Sequence, residues 1–341
     1  MKALVKIEHG LNKLEITEMP VPKIDDNEVR ILIKTAGICG TDLHILHDKF
    51  RTNPPVILGH EFSGEIVEIG DKVTGFTPGD RIVAETAYEI CGQCEACKTG
   101  NYNICKKRKG IGYDVNGVFA KYFVTKEHLL HKIPENVNYK TAALSEPIAT
   151  CIHGLLEKVK INPGDKVVIT GPGPIGIISA LLAKISGGQV YLLGLSSDER
   201  RFRIANKIGI ENTINIEIDK PVNKVKELMN GEEADIFVEC SGAESAVNLA
   251  PDILKPMGTY AQIGIFGDKI NINFNKFIEK EISITTSFSH NWKAWERAVD
   301  ILSLKQEEFD PIITTMDLDN WETAFRKLEN KEAVKVVFNN F

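Results

Sequence analysis

Residues 166 to 195, KVVITGPGPIGIISALLAKISGGQVYLLGL, decide the fold. Lys166 to Thr170 reads as a continuous apolar strand, Ile177 to Ile185 follows a helical pattern, and Val190 to Leu195 is a second strand. Between the first strand and the helix lies Gly171-Pro172-Gly173-Pro174-Ile175-Gly176. Glycines there permit a tight turn and let backbone N–H groups at the helix start meet a pyrophosphate. Because the turn sits between strand and helix, Gly171, Gly173, Pro174, Ile175 and Gly176 form a dinucleotide-binding fingerprint rather than a chance spacing. Further buried strands at Ala234 to Cys240 and Thr259 to Gly264, with helical segments at 198–208, 221–230 and 244–255, predict a doubly wound parallel sheet.

The end of the second strand bears on which dinucleotide is bound. A carboxylate there would accept the ribose hydroxyls of NAD and repel a 2′-phosphate, but the strand runs out as Gly194-Leu195-Ser196-Ser197. Arg200 and Arg201 follow on the first helical turn, with the fork geometry to clamp a phosphate. Ser196, Ser197, Arg200 and Arg201 therefore favour NADP. The competing reading makes the arginines a solvated helix face and gives NAD binding to Asp198.

Upstream, residues 36 to 65 (AGICGTDLHILHDKFRTNPPVILGHEFSGE) bring Cys39, His60 and Glu61 into one stretch. A thiol, an imidazole and a carboxylate suit zinc, and three protein ligands with one open position make a catalytic site. On these residues alone, a buried Cys and a satisfied core His compete with that reading. Residues 91 to 105 carry Cys91, Cys94, Cys97 and Cys105, whose spacing wraps one ion and closes the tetrahedron, a structural zinc site. The segment between them is polar (Gln93, Glu95, Lys98, Thr99, Asn101, Asn103) and cannot be core. The spacing matches neither common ferredoxin pattern.

The rest of the first 135 residues shows short alternating strands with turns, mainly antiparallel β. After about residue 284 an amphipathic helix (Trp292, Trp295, Ala298, Val299), a further helix and a closing strand, Val334 to Phe338, follow. His290 reads as a structural or interface histidine, and His131 shows no partner pattern.

The 341 residues fit two domains. A net charge of −6 argues against nucleic acid or an anionic membrane as main partner. No window approaches a membrane span and MKALVKIEHG lacks an apolar signal core, so a cytoplasmic protein is expected. Seven cysteines in such a chain point to metal ligation before disulfides.

In order, these pieces resemble the zinc-containing medium-chain dehydrogenases, in the polyol (sorbitol-type) and threonine dehydrogenase branch. The likeness spans essentially the whole chain: GICGTDLH at 37–44, GHEFSGEIVEIG at 59–70, the four-cysteine lobe, SEP at 145–147, GPGPIG at 171–176 and the late SHNWKAWERA. It implies a mainly antiparallel, GroES-like catalytic domain of residues 1–148, with the zinc lobe at 88–108, resumed at 284–341. A Rossmann domain, 149–283, is inserted between, and the reacting carbon sits in the cleft between metal and nicotinamide.

The resemblance also implies roles. Cys39 and His60 match ligands of a catalytic zinc, and Glu61 and Glu146 match carboxylates that reach it directly or through water. Thr41 matches the hydroxyl that relays the alcohol proton, His44 the imidazole that passes it outward, and Asp42 a carboxylate orienting His60. Two zincs per chain and a homotetramer are implied, with a dimer as the alternative. The implied function is an NADP-preferring oxidoreductase, with NAD as the alternative, acting on a secondary alcohol of a polyol, sugar alcohol or sugar-alcohol phosphate. L-Threonine 3-dehydrogenase and 2,3-butanediol or simple secondary-alcohol dehydrogenase are the alternatives, and an inactive nucleotide-binding homologue is the remote one.

Overall fold

A computed structural model describes all 341 residues and divides the chain into two compact units. The first comprises Met1–Glu146, His290–Asn330 and Lys335–Phe341; the second comprises Pro147–Ser289 and Lys331–Val334. The elements that position the site run in chain order as β1 (Glu28–Gly37), α1 (Gly40–Leu46), β2 (Glu61–Ile69), β3 (Arg81–Ala84), β4 (Lys166–Thr170) and α2 (Pro174–Ile185). Then come β5 (Gln189–Gly194), α3 (Glu199–Lys207), β6 (Asn212–Asn215), β7 (Ala234–Glu239), β8 (Leu254–Gln262), β9 (Ser283–Thr286), α4 (Trp292–Phe309), α5 (Trp321–Glu329) and β10 (Lys335–Phe338).

In the first unit β1 is a half-buried strand whose Val29, Ile31 and Ile33 alternate into the core. It pairs antiparallel with β2, from Val29↔Ile69 to Gly37↔Glu61. On its other side the end of β1 pairs antiparallel with β10, Val337↔Gly37 and Phe338↔Ala36. The late strand β10 is thus one strand away from the residues that begin β2, across the end of β1, and β3 continues the sheet through Gly64↔Ile82. Asn291 caps α4 by accepting the Ala294 N–H at 2.9 Å, and Trp295 is buried beneath it.

The second unit is a six-stranded, wholly parallel sheet in the order β6-β5-β4-β7-β8-β9. The order reverses at β4, whose neighbours are β5 and β7, and in such sheets ligands bind at the carboxyl ends beside that reversal. The apolar run of β4 is explained by cover on both faces: Val167, Val168 and Ile169 have no exposed surface. On one face of the sheet Phe237 of β7 and Tyr260 of β8 stack at 6.1 Å and Tyr260 meets Phe277 edge-on at 5.5 Å. Each such ring contributes about 1.5–3 kcal/mol on burial.

Residues 283–286 are β9, paired with β8 from Thr259↔Ser283 to Gln262↔Thr286, so the chain leaves this unit only after Ser289. No helix is long and apolar enough to cross a membrane.

Candidate active site

The turn after β1 delivers the first donor. Cys39 stands in extended conformation at the N-cap of α1, and Asp42, three residues on, accepts its N–H at 2.9 Å. A buried carboxylate therefore fixes the start of a short helix that has few bonds of its own. Thr41 and His44, three apart, share one face of α1. Thr41 Oγ1 lies 3.7 Å from Cys39 Sγ.

The antiparallel pairing of β1 with β2 sets Glu61 opposite Gly37 and brings His60 alongside. The Cys39 thiol, a His60 ring nitrogen and a Glu61 carboxylate oxygen all lie within 4.8 Å of one another. Glu61 forms a buried ion pair with Lys335, whose Nζ also donates to the Ile38 carbonyl at 2.8 Å. Gly37 leaves the room for this pair: a Cβ there would stand 2.3 Å from Glu61 Oε2 and 3.0 Å from Lys335 Cε. Burial nonetheless pushes the Glu61 carboxyl above its ordinary value.

These residues fit a divalent cation. His60 Nδ1 is buried without a hydrogen-bond partner, and so is Asp42 Oδ1. Burial opposes a charge on His60, yet Cys39, Asp42 and Glu146 around it favour one strongly enough to raise it well above its usual pKa. A buried point that so favours positive charge, lined by thiol, imidazole and carboxylate, matches the donor chemistry of zinc.

Glu146 stands outside the three-donor set. Its Oε1 lies 3.3 Å from His290 Nε2. His290 Nδ1 accepts from Trp295 Nε1 at 2.7 Å, so the ring proton belongs on Nε2, toward Glu146 and Thr86 Oγ1 at 3.1 Å. Burial works against ionising Glu146, but the His290 hydrogen bond and the nearby cations hold it below the usual carboxylate range. At His44 the protein packed around the ring, then Lys49 and His47, keep the imidazole below its ordinary value, so at neutral pH it is mainly an uncharged base.

The second cluster is closed. Sγ–Sγ distances are 3.9 Å for Cys91–Cys97, 3.5 Å for Cys94–Cys97 and 3.6 Å for Cys105–Cys91. Four thiolates bound at about 2.3 Å to one tetrahedral ion would be about 3.8 Å apart, whereas a disulfide would need about 2.05 Å. The Cys94 N–H points at Cys91 Sγ and the Cys91 N–H at Cys105 Sγ, each 3.4 Å away. The Gln93 N–H, then the Cys94 N–H and thiol, bring the Cys91 thiol down to about 6 and favour the ligating thiolate.

In the second unit Gly171 has φ +85° and Gly176 packs so closely that a Cβ would stand 1.9 Å from the Gly171 carbonyl oxygen. Gly173 caps α2, and Pro174 opens it where a missing N–H costs nothing. The turn thereby presents free N–H groups at the helix start.

The family description "alcohol dehydrogenase GroES-like domain" matches residues 25–135, and "zinc-binding dehydrogenase" matches 174–304. A sorbitol dehydrogenase from Halalkalibacterium halodurans is 42% identical over 339 residues, covering 99% of this chain and 98% of its own. The chain belongs to the zinc-containing medium-chain alcohol dehydrogenases. A D-arabitol-phosphate dehydrogenase from Enterococcus avium is 34% identical, covering 100% and 97% of the two chains. Among solved structures, a zinc-binding dehydrogenase from Sinorhizobium meliloti bound to NADP superposes with a TM-score of 0.90 at 28% identity, covering 99% and 98%. The protein is a zinc-dependent dehydrogenase of the polyol and threonine branch that works with a nicotinamide dinucleotide.

At the ribose end of the dehydrogenase's nucleotide site, the sequence reading pairs Arg200 with Arg201, and the structure separates them. Arg201 is 9% exposed, its Nε donating to the Ala333 carbonyl at 3.1 Å and its guanidinium 3.4 Å from Asp198, which removes it from a clamp. Arg200 stays exposed, 3.5 Å from Glu332. Asp198 is buried too: its Oδ2 accepts the Leu195 N–H at 3.1 Å, which withdraws it from the ribose. Sequence reasoning missed Lys335 and the His290 bond to Glu146, both joined only by the fold. One signal was available: Asp198 and Arg201 are spaced i, i+3 on a helix start.

Proposed function

We propose that this dehydrogenase oxidises a secondary alcohol of a polyol, sugar alcohol or sugar-alcohol phosphate, with NADP preferred over NAD. The observation that carries the reading is the three-donor set of Cys39, His60 and Glu61 with the Thr41 hydroxyl beside it. Relatives that act on sorbitol and on arabitol phosphate support the substrate class, and the strand tip without a carboxylate side chain supports NADP.

Cys39, His60 and Glu61 would hold the catalytic zinc and leave one position open, with Glu146 reaching it directly or through a water. When bound, zinc lowers the pKa of an alcohol hydroxyl while the nicotinamide offers a hydride acceptor. Thr41 accepts the hydroxyl proton as the carbon gives up hydride, and its own proton moves outward. His44, one turn along α1 and uncharged at neutral pH, takes that proton to solvent. Lys335 keeps Glu61 turned into the pocket. A second zinc in the four-cysteine lobe, a homotetramer and a cytoplasmic location belong to the same proposal.

The test is NADP⁺ and NAD⁺ reduction over polyols, their phosphates, threonine and 2,3-butanediol, with zinc counted per chain. Polyols or their phosphates should be fastest, and Thr41→Ala should cut kcat by about a hundredfold or more while Thr41→Ser restores it. Preferred oxidation of threonine or butanediol would refute the substrate assignment.

A further inference from the structure

β5 ends without a carboxylate side chain of its own, yet a carboxylate and an ammonium both reach its tip from elsewhere in the second unit. Glu217, two residues past β6, places Oε2 2.7 Å from the Ser196 N–H, which it accepts. Asn215 holds that arrangement: its Oδ1 accepts the Glu217 N–H at 3.1 Å and its Nδ2 donates to Ser196 Oγ at 3.0 Å.

From the other side Lys331 Nζ donates to Ser197 Oγ at 2.9 Å and to Asp198 Oδ2 at 3.1 Å. Lys331 follows the Asn330 cap of α5 with φ +56°, a left-handed position that glycine would fill with less strain. A lysine there sets its ammonium on Ser197 and Asp198, three and four residues past the end of β5.

We propose that Glu217 and Lys331, rather than the side chains of the tip itself, set the choice between the 2′-hydroxyl and the 2′-phosphate of the dinucleotide. Glu217 favours the hydroxyl: with Oε2 committed to Ser196, Oε1 can accept a ribose O–H, and the negative charge repels a phosphate. Lys331 favours the phosphate: an ammonium has three donors, and two are used. The surrounding charges balance, Asp198, Glu217 and Glu332 against Arg200, Arg201 and Lys331, so removing either discriminating charge tips the field. The inference deepens the proposed function by naming residues that tune its cofactor choice.

The experiment compares Lys331→Met, Lys331→Arg and Glu217→Gln with the unaltered full-length enzyme, measuring kcat/KM for NADP⁺ and NAD⁺ with one alcohol. Lys331→Met should lower the NADP efficiency about tenfold and leave NAD within about twofold, and Lys331→Arg should restore it. Glu217→Gln should raise the NADP-to-NAD ratio about tenfold. In parallel, adenosine 2′,5′-bisphosphate and 5′-ADP are titrated into each zinc-loaded protein by calorimetry. That arm needs no turnover, so it still decides the inference if no alcohol of the panel is oxidised and the substrate reading fails. A ratio that moves less than about twofold in both variants, or an equal loss for both nucleotides, overturns the proposal. Should Lys331→Met fail to fold, the exposed Glu217→Gln decides it alone.

Discussion

Glu239→Gln tests how the nucleotide cradle is braced. Glu239 ends β7 with no exposed surface, and its Oε1 accepts the Ser241 N–H at 2.7 Å, the Gly242 N–H at 3.0 Å, Thr170 Oγ1 at 3.3 Å and the Ser241 hydroxyl. Its Oε2 accepts Gln262 Nε2 at 2.6 Å. One carboxylate therefore ties the ends of β4, β7 and β8, the edge where a dinucleotide binds.

A glutamine keeps the shape but turns one oxygen into a donor. If the amide nitrogen replaces Oε1 it faces the Ser241 N–H; if it replaces Oε2 it faces the Gln262 amide. Gln262 cannot simply rotate, because its Nε2 also donates to the Gly264 carbonyl at 2.6 Å and its Oε1 accepts from Tyr260. An unsatisfied buried donor costs about 1–3 kcal/mol, and the remaining bonds lose their charge assistance, so the net loss should be about 2–4 kcal/mol. For a unit of this size that lowers Tm by roughly 5–15 °C. Differential scanning calorimetry with and without dinucleotide reads both the stability and the weakened binding. A variant that melts within about 1 °C of the parent and binds dinucleotide equally would refute the bracing argument.

Cys94→Ser should leave one zinc per chain by metal analysis and lower thermal stability, because the three remaining thiolates cannot close a tetrahedron. The pH dependence of His44 has a definite sign. Its folded pKa lies below the ordinary 6.5, so the unfolded chain binds more protons between the two values. The group therefore costs no stability above about pH 6.5, and its destabilising contribution grows as pH falls from there to the folded pKa. The same shift keeps a neutral base available below pH 6.5. His44→Gln should slow turnover roughly tenfold to a hundredfold at pH 7, with added imidazole restoring part of the rate; no rescue would remove His44 from the proton path.

What could be read from the sequence was whatever is local. KVVITGPGPIG needs only its own neighbours to become strand, turn and helix, and Cys91, Cys94 and Cys97 sit within one loop. Cys39 and His60 needed one further step, the hairpin-like pairing of β1 with β2. Beyond that, legibility fails for a physical reason: partners are chosen by sheet order and packing. His131 lies between Glu85, 3.3 Å away, and Glu296 while stacking on Trp295, and no spacing along the chain announces those partners. Arg108, one of four consecutive basic residues from Lys106 to Lys109, turns inward to donate to Tyr113 Oη and Thr86 Oγ1. Arg201 looked exposed because charged residues on helices usually are, and burial beside Asp198 overrode that expectation.

The place of Lys335 in the chain has a consequence for biosynthesis. Glu61 leaves the ribosome early, whereas the cation that neutralises it arrives with β10, after the whole parallel sheet has been translated. A buried carboxylate without its counter-ion costs several kcal/mol, so a nascent amino-terminal portion has no stable way to enclose this pocket. An arrested chain that lacks β10 would therefore leave Glu61 without its ammonium, and Cys39, His60 and Glu61 open to water.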